Sequence, residues 1–397
     1  MAEVSAAPRW LEARRERAAK ADVDLPTFKG SPGWEFTDIS GIDLDAFHAA
    51  ASGGDAEPLF PDLTGRRPEP SGSLEAPLVM ALDEAAERFP DLVERHFGTV
   101  VSADDPFVAR NERDWRGGTF VYVPRGQRLD EPAIVTAALP PAAALNQRTL
   151  IVLEEGAEAE VWEQWLSDGD GVFNAVTELV VGRNARLRYV CGQALSEKTW
   201  LFGTQRAVVE ADGSLEWVAL GFGSARGKVR METNLAGEGS EAKVTGAYAG
   251  HARQHLDFDT TQEHAAAHTT SDLAFRGVLT GRASAVWRGM IRVDPGAQQT
   301  DAFQESRNLL LSKRAHADAI PGLEIEANDV RCTHAAAVAQ IDDEQVYYLM
   351  ARGIPRETAT RLIIEGFLEE LVERFEEGPV RDTLSDALSR RLEAVLS

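Results

Sequence analysis

Cysteine is scarce in this sequence, with only Cys191 and Cys332 among 397 residues. The two are far apart, and neither belongs to a Cys-x-x-Cys pair. So few cysteines exclude a disulfide framework and are typical of a reducing compartment. The sequence also lacks the basic start and apolar core of a secretion signal, and it has no uninterrupted apolar run of about 18 residues that could span a membrane. We therefore expect a cytoplasmic protein.

Basic residues are few relative to acidic ones. The chain has 41 Lys and Arg against 64 Asp and Glu, a formal net charge of −23. A nucleic-acid backbone or an anionic membrane would be repelled by this charge, and no run of Lys and Arg indicates a local basic patch. With 44% hydrophobic and 26% charged residues, the composition is that of an ordinary globular protein. We expect its partners to be proteins.

The periodicity of apolar residues divides the chain into three predicted regions. Residues 1–100 form a mixed, largely helical region with joints rich in Pro and Gly. One helical pattern begins at Trp10, and another runs over 81–97, where Pro90 is expected to break or bend it. Residues 101–340 are predicted to form a β-structured core, and residues 341–397 a C-terminal helical domain.

The middle region contains many short apolar runs bounded by Gly, Asp or Asn. Strands are predicted at 119–123, 148–153, 159–165, 177–181, 185–190, 214–220, 243–249, 284–293 and 323–327. The pattern alone allows a sandwich, a barrel or a solenoid. Short strands, small polar turns and the absence of long helical crossovers favour a β-solenoid, although no strict sequence repeat is visible.

The last region predicts a compact helical tail. Acidic residues over 342–345 precede a short helix that Gly353 closes, Pro355 begins a longer helix, and Gly378 with Pro379 separates a final one. The apolar face of these helices is broad for so few elements. We expect part of it to cover the β-structured core or a partner.

The strongest chemical candidate is the pair Cys332 and His334. On a strand these two side chains project to the same face. A thiolate beside an imidazole is able to hold a soft metal or to carry sulfur. Val330, Ala336 and Val338 share their parity, however, so an inward core face fits the pattern equally well. Two ligands do not complete a cluster or a tetrahedral site, so any further ligands must come from elsewhere.

Two histidine pairs, His251 with His255 and His264 with His268, have the four-residue spacing of a helical zinc site. The zinc-protease motif requires Glu directly after the first histidine, and alanine occupies that place in both pairs. Strand-like surroundings favour ordinary polar positions on a sheet.

Other candidates are weaker. The segment 221–229 approximates a phosphate loop, but Val229 stands where Ser or Thr should bind magnesium. No Gly-x-Ser-x-Gly elbow offers a nucleophile. Cys191 ends an apolar strand and is assigned to the core, and the carboxylates of Glu324 and Glu326 are assigned to a solvated strand face.

The segment 309–354 resembles the SufB/SufD family of iron–sulfur cluster assembly scaffolds, most closely its SufD branch. The resemblance is carried by 323–325, 328–334, 341–345 and 348–354, and more weakly by 120–126, 26–27 and 34–38. In all it spans about residues 25–375. It implies a right-handed parallel β-helix flanked by N-terminal and C-terminal helical regions.

The resemblance also implies partners and a role without catalysis. Family members pair through the ends of their β-helices, SufB with SufD, and bind the SufC ATPase with their C-terminal helices. The complex builds clusters from iron and from sulfur that a desulfurase system delivers. ATP hydrolysis would then belong to SufC, which accounts for the missing phosphate loop. The isolated chain is expected to form homodimers or to aggregate weakly.

Within the family, a few positions separate the branches. SufB-like chains carry a cysteine where this sequence has 305–308, and they tend to have Glu where Ala335 stands. The resemblance therefore favours a SufD-like subunit over a divergent SufB paralogue. It implies that His334, and with less support Cys332, take part in cluster assembly as metal ligands shared with a partner subunit. The cofactor would be a transient cluster or iron at the interface, with none tightly bound in the isolated chain.

Two interpretations from other classes stay open on the sequence alone. A polysaccharide-degrading β-helix enzyme would need a cleft of clustered carboxylates or calcium ligands, and neither is evident. A purely structural β-helix would have no requirement for Cys332 and His334.

Overall fold

The computed structural model describes residues 8–20, 24–70 and 72–396. Its N-terminal part contains a short 3-10 helix at Leu44–Ala46 together with α1 (Arg9–Lys20), β1 (His48–Ala50), β2 (Leu78–Met80), α2 (Leu82–Arg88), α3 (Pro90–His96) and α4 (Pro106–Asp114). The helical pattern predicted from Trp10 is confirmed by α1. The break predicted at Pro90 is also confirmed, because α2 ends before Phe89 and Pro90 occupies the first turn of α3.

Sixteen further strands follow in an unbroken series. They are β3 (Thr119–Val123), β4 (Ala133–Ala138), β5 (Ala143–Leu153), β6 (Glu158–Leu166), β7 (Gly171–Val181), β8 (Arg186–Leu195), β9 (Thr199–Val209), β10 (Ser214–Gly223), β11 (Arg226–Leu235), β12 (Glu241–Gly250), β13 (His255–His264), β14 (Thr270–Leu279), β15 (Ser284–Val293), β16 (Thr300–Leu310), β17 (His316–Ile325) and β18 (Val330–Gln340). The predicted strand 284–293 coincides with β15.

The strands wind into a β-solenoid of about eight turns. Among β3 to β18, odd-numbered strands pair with odd-numbered ones and even-numbered strands with even-numbered ones, so two sheets face each other. Each turn therefore places one strand in each sheet. Register partners lie one coil apart, from 26 residues for Trp200 with Arg226 to 32 for Ser284 with His316. The strand pairs are parallel except β2 with β3 within the described residues. The predicted mainly-β solenoid with helical ends is confirmed.

The space between the two sheets is the main core. Alternate residues along each strand enter it, and Trp217, Trp287 and Phe275 are fully buried there. Some polar groups are enclosed as well. Glu163 accepts hydrogen bonds from Tyr189 Oη (2.5 Å) and Thr149 Oγ1 (2.8 Å), and burial raises the pKa of its carboxyl group. Their mutual hydrogen bonds satisfy groups that would otherwise be unfavourable inside a core.

Three helices follow the solenoid, namely α5 (Asp343–Met350), α6 (Arg356–Val372) and α7 (Pro379–Leu396). The Asp342 side chain caps α5 by accepting from the backbone N–H of Glu344, as the acidic first turn predicts. Pro355 precedes α6, and Gly353 before it has a positive φ of 88° that favours glycine. None of the helices in the described ranges is long and apolar enough to cross a membrane.

Helices α6 and α7 cover the outer face of the even-numbered sheet. Ile364, Leu368 and Leu388 are buried against sheet residues such as Val218 and Leu220. The expectation that part of the tail covers the β-structured core is therefore confirmed. The predicted regions meet at residues 100 and 340. Strand β18 ends at Gln340, whereas the helix α4 lies beyond residue 100. The division of the chain into three domains stays a prediction.

The substitution Ile364→Ala should lower the free energy of unfolding by about 2–5 kcal/mol, because it removes buried methyl groups between α6 and the sheet. Leu362→Ala, two residues away at a side chain that is 43% exposed, should change it by no more than about 0.5 kcal/mol. Denaturant unfolding of the two variants measures the difference. Equal effects would contradict the packing described for α6.

Candidate functional site in the last coil

The last coil of the solenoid, β17 with β18, is open on one side. Each strand ends its sheet, and no described strand pairs with its outer edge. Several side chains that face the interior are therefore exposed in this coil. Leu323 and Ile325 are 38% and 40% exposed, whereas their register partners on β15, Ile291 and Val293, are fully buried.

Cys332 and His334 lie on β18 of this coil. In the parallel register Cys332 pairs with Ala302 and His334 with Gln304, and both partners on β16 are buried in the interior. Register partners in a parallel sheet project to the same face. The structure therefore places both side chains on one face, above the solenoid interior at its open end.

The Cys332 thiol is half-buried. It packs with Val330 against an apolar group that includes Ile291, Val293 and Ala302. Burial raises the pKa of the thiol, and the Asp301 carboxylate raises that pKa further. At neutral pH the thiol keeps its proton, so a metal ion would have to displace it on binding. Because of this apolar packing, Cys332 is partly a core residue.

His334 is exposed and differs from Cys332 in this respect. Its imidazole makes no hydrogen bond with any other residue that the structure describes. Both ring nitrogens are therefore available to a ligand or partner. The imidazole group of histidine is a common metal ligand.

Gln304, which lies one coil below His334, is a polar residue of the interior that the sequence did not indicate. Its Nε2 donates to the carbonyl oxygens of Gly289 (3.2 Å) and Gly322 (3.1 Å), which fixes the amide across the solenoid. Its Oε1 is buried without a hydrogen-bond partner in the described residues. An unpaired acceptor therefore lies beneath the imidazole position. Because β16 was not predicted as a strand, no sequence signal connected Gln304 with His334.

Within the residues that the structure describes, no group of three or more His, Cys, Asp or Glu side chains is arranged to hold a metal ion. Cys332 and His334 thus supply at most two ligands to any metal bound at the open end.

Comparison with known protein families identifies the family to which the chain belongs. Residues 135–367 match the family model of the SufBD core domain of SUF-system iron–sulfur cluster assembly. The match covers more than half of the chain, from β4 to α6, and includes both Cys332 and His334. The chain belongs to the SufB/SufD family.

Relatives of this SufB/SufD chain include other iron–sulfur cluster assembly proteins. It is 32% identical over 317 residues to the iron–sulfur cluster assembly protein SufD of Bacillus subtilis, a match covering 78% of this chain and 72% of the relative. It is 30% identical over 293 residues to a SufBD-family protein of Staphylococcus saprophyticus, covering 72% of this chain and 63% of the relative. The chain is thus an iron–sulfur cluster assembly protein of this family and is most like SufD. The polysaccharide-degrading alternative is set aside.

The positions that distinguish SufB from SufD lie close to Cys332 and His334. On β16, Ser306 is buried in the interior and pairs in register with Ala336 of β18. Glu305 faces outward instead and forms an ion pair with Arg276 (2.7 Å). Where the resemblance places a SufB cysteine, this chain therefore has a buried hydroxyl group and an outer ion pair.

The two histidine pairs do not form metal sites. His255 and His264 are the first and last residues of β13, and each has both ring nitrogens within hydrogen-bond distance of hydroxyl groups, 2.8–3.0 Å away. Burial lowers the pKa of His264 to about 4, so the ring is neutral. His251 and His268 lie in turns between strands rather than on the sheet.

The remaining candidates are structural as well. Lys228, the lysine of the segment that approximates a phosphate loop, is buried and paired with Asp257 at 2.9 Å. Cys191 lies in the main core, as predicted, and burial raises the pKa of its thiol well above the usual range.

Proposed function

We propose that this chain is the SufD-type subunit of a complex with SufB and the SufC ATPase, and that it serves cluster assembly as a scaffold. The observation that carries the proposal is the open last coil, which presents an unpaired edge and the Cys332/His334 pair at the same end. ATP hydrolysis is assigned to SufC. The chain itself supplies surfaces and ligands.

Pairing with SufB follows from the open edge. β17 and β18 expose backbone hydrogen-bonding groups along 10 and 11 residues, and such edges favour the addition of another strand. Exposed apolar side chains at the same end, including Ile320 and Val338, would be buried by a second solenoid stacked on the coil. Without SufB the isolated chain would use the same edge to form a homodimer.

Cluster assembly would take place at this interface. Iron, a substrate of the assembly, would be bound or positioned by the His334 imidazole, while SufB contributes the thiol that carries sulfur from the desulfurase system. Cys332 has a lesser part, because its thiol is half-buried and protonated. Since Cys332 and His334 supply at most two ligands, a cluster would be held only transiently and only when SufB is present.

SufC docking is assigned to the exposed part of the C-terminal helices. Tyr347 and Tyr348 on α5 are 66% and 57% exposed, and Leu362 on α6 is 43% exposed. An ion pair between Arg356 and Asp343 (3.0 Å) joins the beginnings of the two helices. Aromatic residues of this kind are typical anchors of protein interfaces.

The double substitution Tyr347→Ala with Leu362→Ala should weaken SufC binding by about tenfold or more, since it removes two anchors from the docking surface. Binding to SufB should be unchanged, because the open edge is untouched. Phe28→Ala, at an exposed aromatic residue of the N-terminal part, is the matched control. Titration of SufC against each variant measures the effect. Undiminished binding in the double variant would place the SufC surface elsewhere.

Co-expression of the three proteins tests the assembly as a whole. A tagged copy of this chain should recover both SufB and SufC, in a fixed ratio through gel filtration. Recovery of neither protein would contradict the proposal.

A further inference from the structure

A groove of about 890 Å³ lies along one corner of the solenoid. It is formed by the stacked connections that lead from the even-numbered strands to the odd-numbered ones, from β8–β9 to β16–β17. Five cationic side chains line it, namely Arg226, Arg253, Arg282, Lys313 and Arg314. They come from successive coils, so the sequence shows no basic run although the fold collects the charges in one place.

No ion pair neutralises these five cations within the described residues. In the described part of the chain, none of the five lies within ion-pair distance of a carboxylate. Most of the other arginines in that part form such an ion pair. The one acidic residue in the groove lining, Glu197, is paired with His251 at 2.5 Å. In a chain with a net charge of −23, this concentration of unpaired positive charge is a departure from the rest of the surface.

A second groove of the solenoid provides a contrast. It has a volume of about 340 Å³ and also contains arginines. There Arg188 is paired with Glu160 (2.9 Å) and Glu216 (2.6 Å), so its charge is compensated internally. Arginine content alone therefore does not distinguish the corner groove. The corner groove is distinguished by cations that have no carboxylate partner among the described residues.

The corner groove is held by a rigid backbone. The Arg282 N–H donates to the Ala252 carbonyl oxygen (2.7 Å), and the Ser312 hydroxyl donates to the Gly281 carbonyl oxygen (2.6 Å), so adjacent turns are tied together. The Arg226 guanidinium lies over the Trp200 ring at 5.7 Å. The turns that carry the charges are thus fixed before any ligand binds.

We propose that the corner groove binds a small anion that carries more than one phosphate group. Guanidinium groups match phosphate oxygens through paired hydrogen bonds, and four of the five cations are arginines. The groove has the volume of a small-molecule site. The net charge of the whole chain repels a long polyanion such as nucleic acid, but a compact anion fits within the local positive field.

Calorimetric titration with pyrophosphate tests the inference on the full chain. Pyrophosphate should bind at one site per chain, and the double substitution Arg253→Ala with Arg282→Ala should weaken binding by about tenfold or more, because two charge-assisted contacts are lost. Arg125→Ala with Arg183→Ala, at exposed turn residues away from the groove, changes the net charge equally and should leave the affinity unchanged. Circular dichroism checks that all variants are folded.

Three results would overturn the inference. Pyrophosphate could fail to bind the unmodified chain, it could bind both double variants equally well, or a glutamate-rich peptide could bind at the groove while pyrophosphate does not. The last result would identify the groove as a surface for an acidic protein segment. The binding measurement does not involve SufB, SufC or cluster formation, so its outcome is independent of the proposed scaffold function.

Discussion

Replacing His334 with alanine should reduce the rate of cluster formation by the three-subunit complex by about tenfold or more. The imidazole is exposed at the open end and has no partner in the described residues, so its proposed role is to bind or position iron. Loss of groups around a metal site typically lowers affinity or activity by about 10–100-fold. Folding and assembly should be nearly unchanged, because His334 packs against little of its own chain.

Two variants on the same strand are controls for this result. Thr333→Ala changes the adjacent exposed residue on the opposite face and should leave the rate unaltered. Cys332→Ser should have a smaller effect than His334→Ala, since the thiol is protonated and partly in the core. Anaerobic assembly followed by absorbance and iron content measures all three. If the His334→Ala complex formed clusters at the unmodified rate, the assignment of His334 to the site would be wrong, and the chain would be a purely structural scaffold.

The second large effect is expected at the edge itself. The double substitution Leu323→Asp with Val338→Asp should weaken binding to SufB by about thirtyfold or more, because a partner stacked on the coil would bury two unpaired carboxylates. Inward-pointing charges are also a device by which natural edge strands avoid pairing. In isolation, the same variant should be monomeric under conditions in which the unmodified chain forms a dimer.

Leu74→Asp provides the control for added negative charge at an exposed leucine of the N-terminal part, which is 38% exposed. Sedimentation velocity reports the oligomeric state, and titration with SufB reports the affinity. Unimpaired SufB binding by the double variant would show that pairing uses a different surface.

Helices and apolar strands were predictable from the sequence because their signals are local. The proline at position 90 broke the N-terminal helical pattern as expected, and Pro355 and Gly378 directly precede the first residues of α6 and α7. Strand β15 has apolar residues at every interior position, from Ala285 to Val293, and was predicted with its observed bounds. These features depend on neighbouring residues only.

Strands with polar surroundings were missed for a tertiary reason. In β13 the apolar residues Leu256 and Phe258 are followed by a run of polar side chains, yet most of the strand is buried. Its Asp257 is buried because Lys228 pairs with it and because Thr37, far away in the chain, donates a hydrogen bond to it at 2.5 Å. Periodicity within one strand does not reveal partners from another coil.

The candidate site was predictable only in part for the same reason. The two-residue spacing of Cys332 and His334 implied a shared face, but whether that face was core or surface depended on whether another coil covers it. In the structure the two residues differ: Cys332 is half-buried and belongs partly to the core, whereas His334 is exposed at the surface. The corner groove was not predictable, since its cations are brought together by the coil repeat.

The central claim is that this chain supports cluster assembly through its open end, and one measurement tests it most directly. SufB and SufC would be purified with and without this chain and supplied anaerobically with iron and a sulfur-donating desulfurase. A stable three-subunit complex should form and assemble clusters faster than SufB and SufC alone. Equal rates with and without this chain, or no stable complex, would contradict the account.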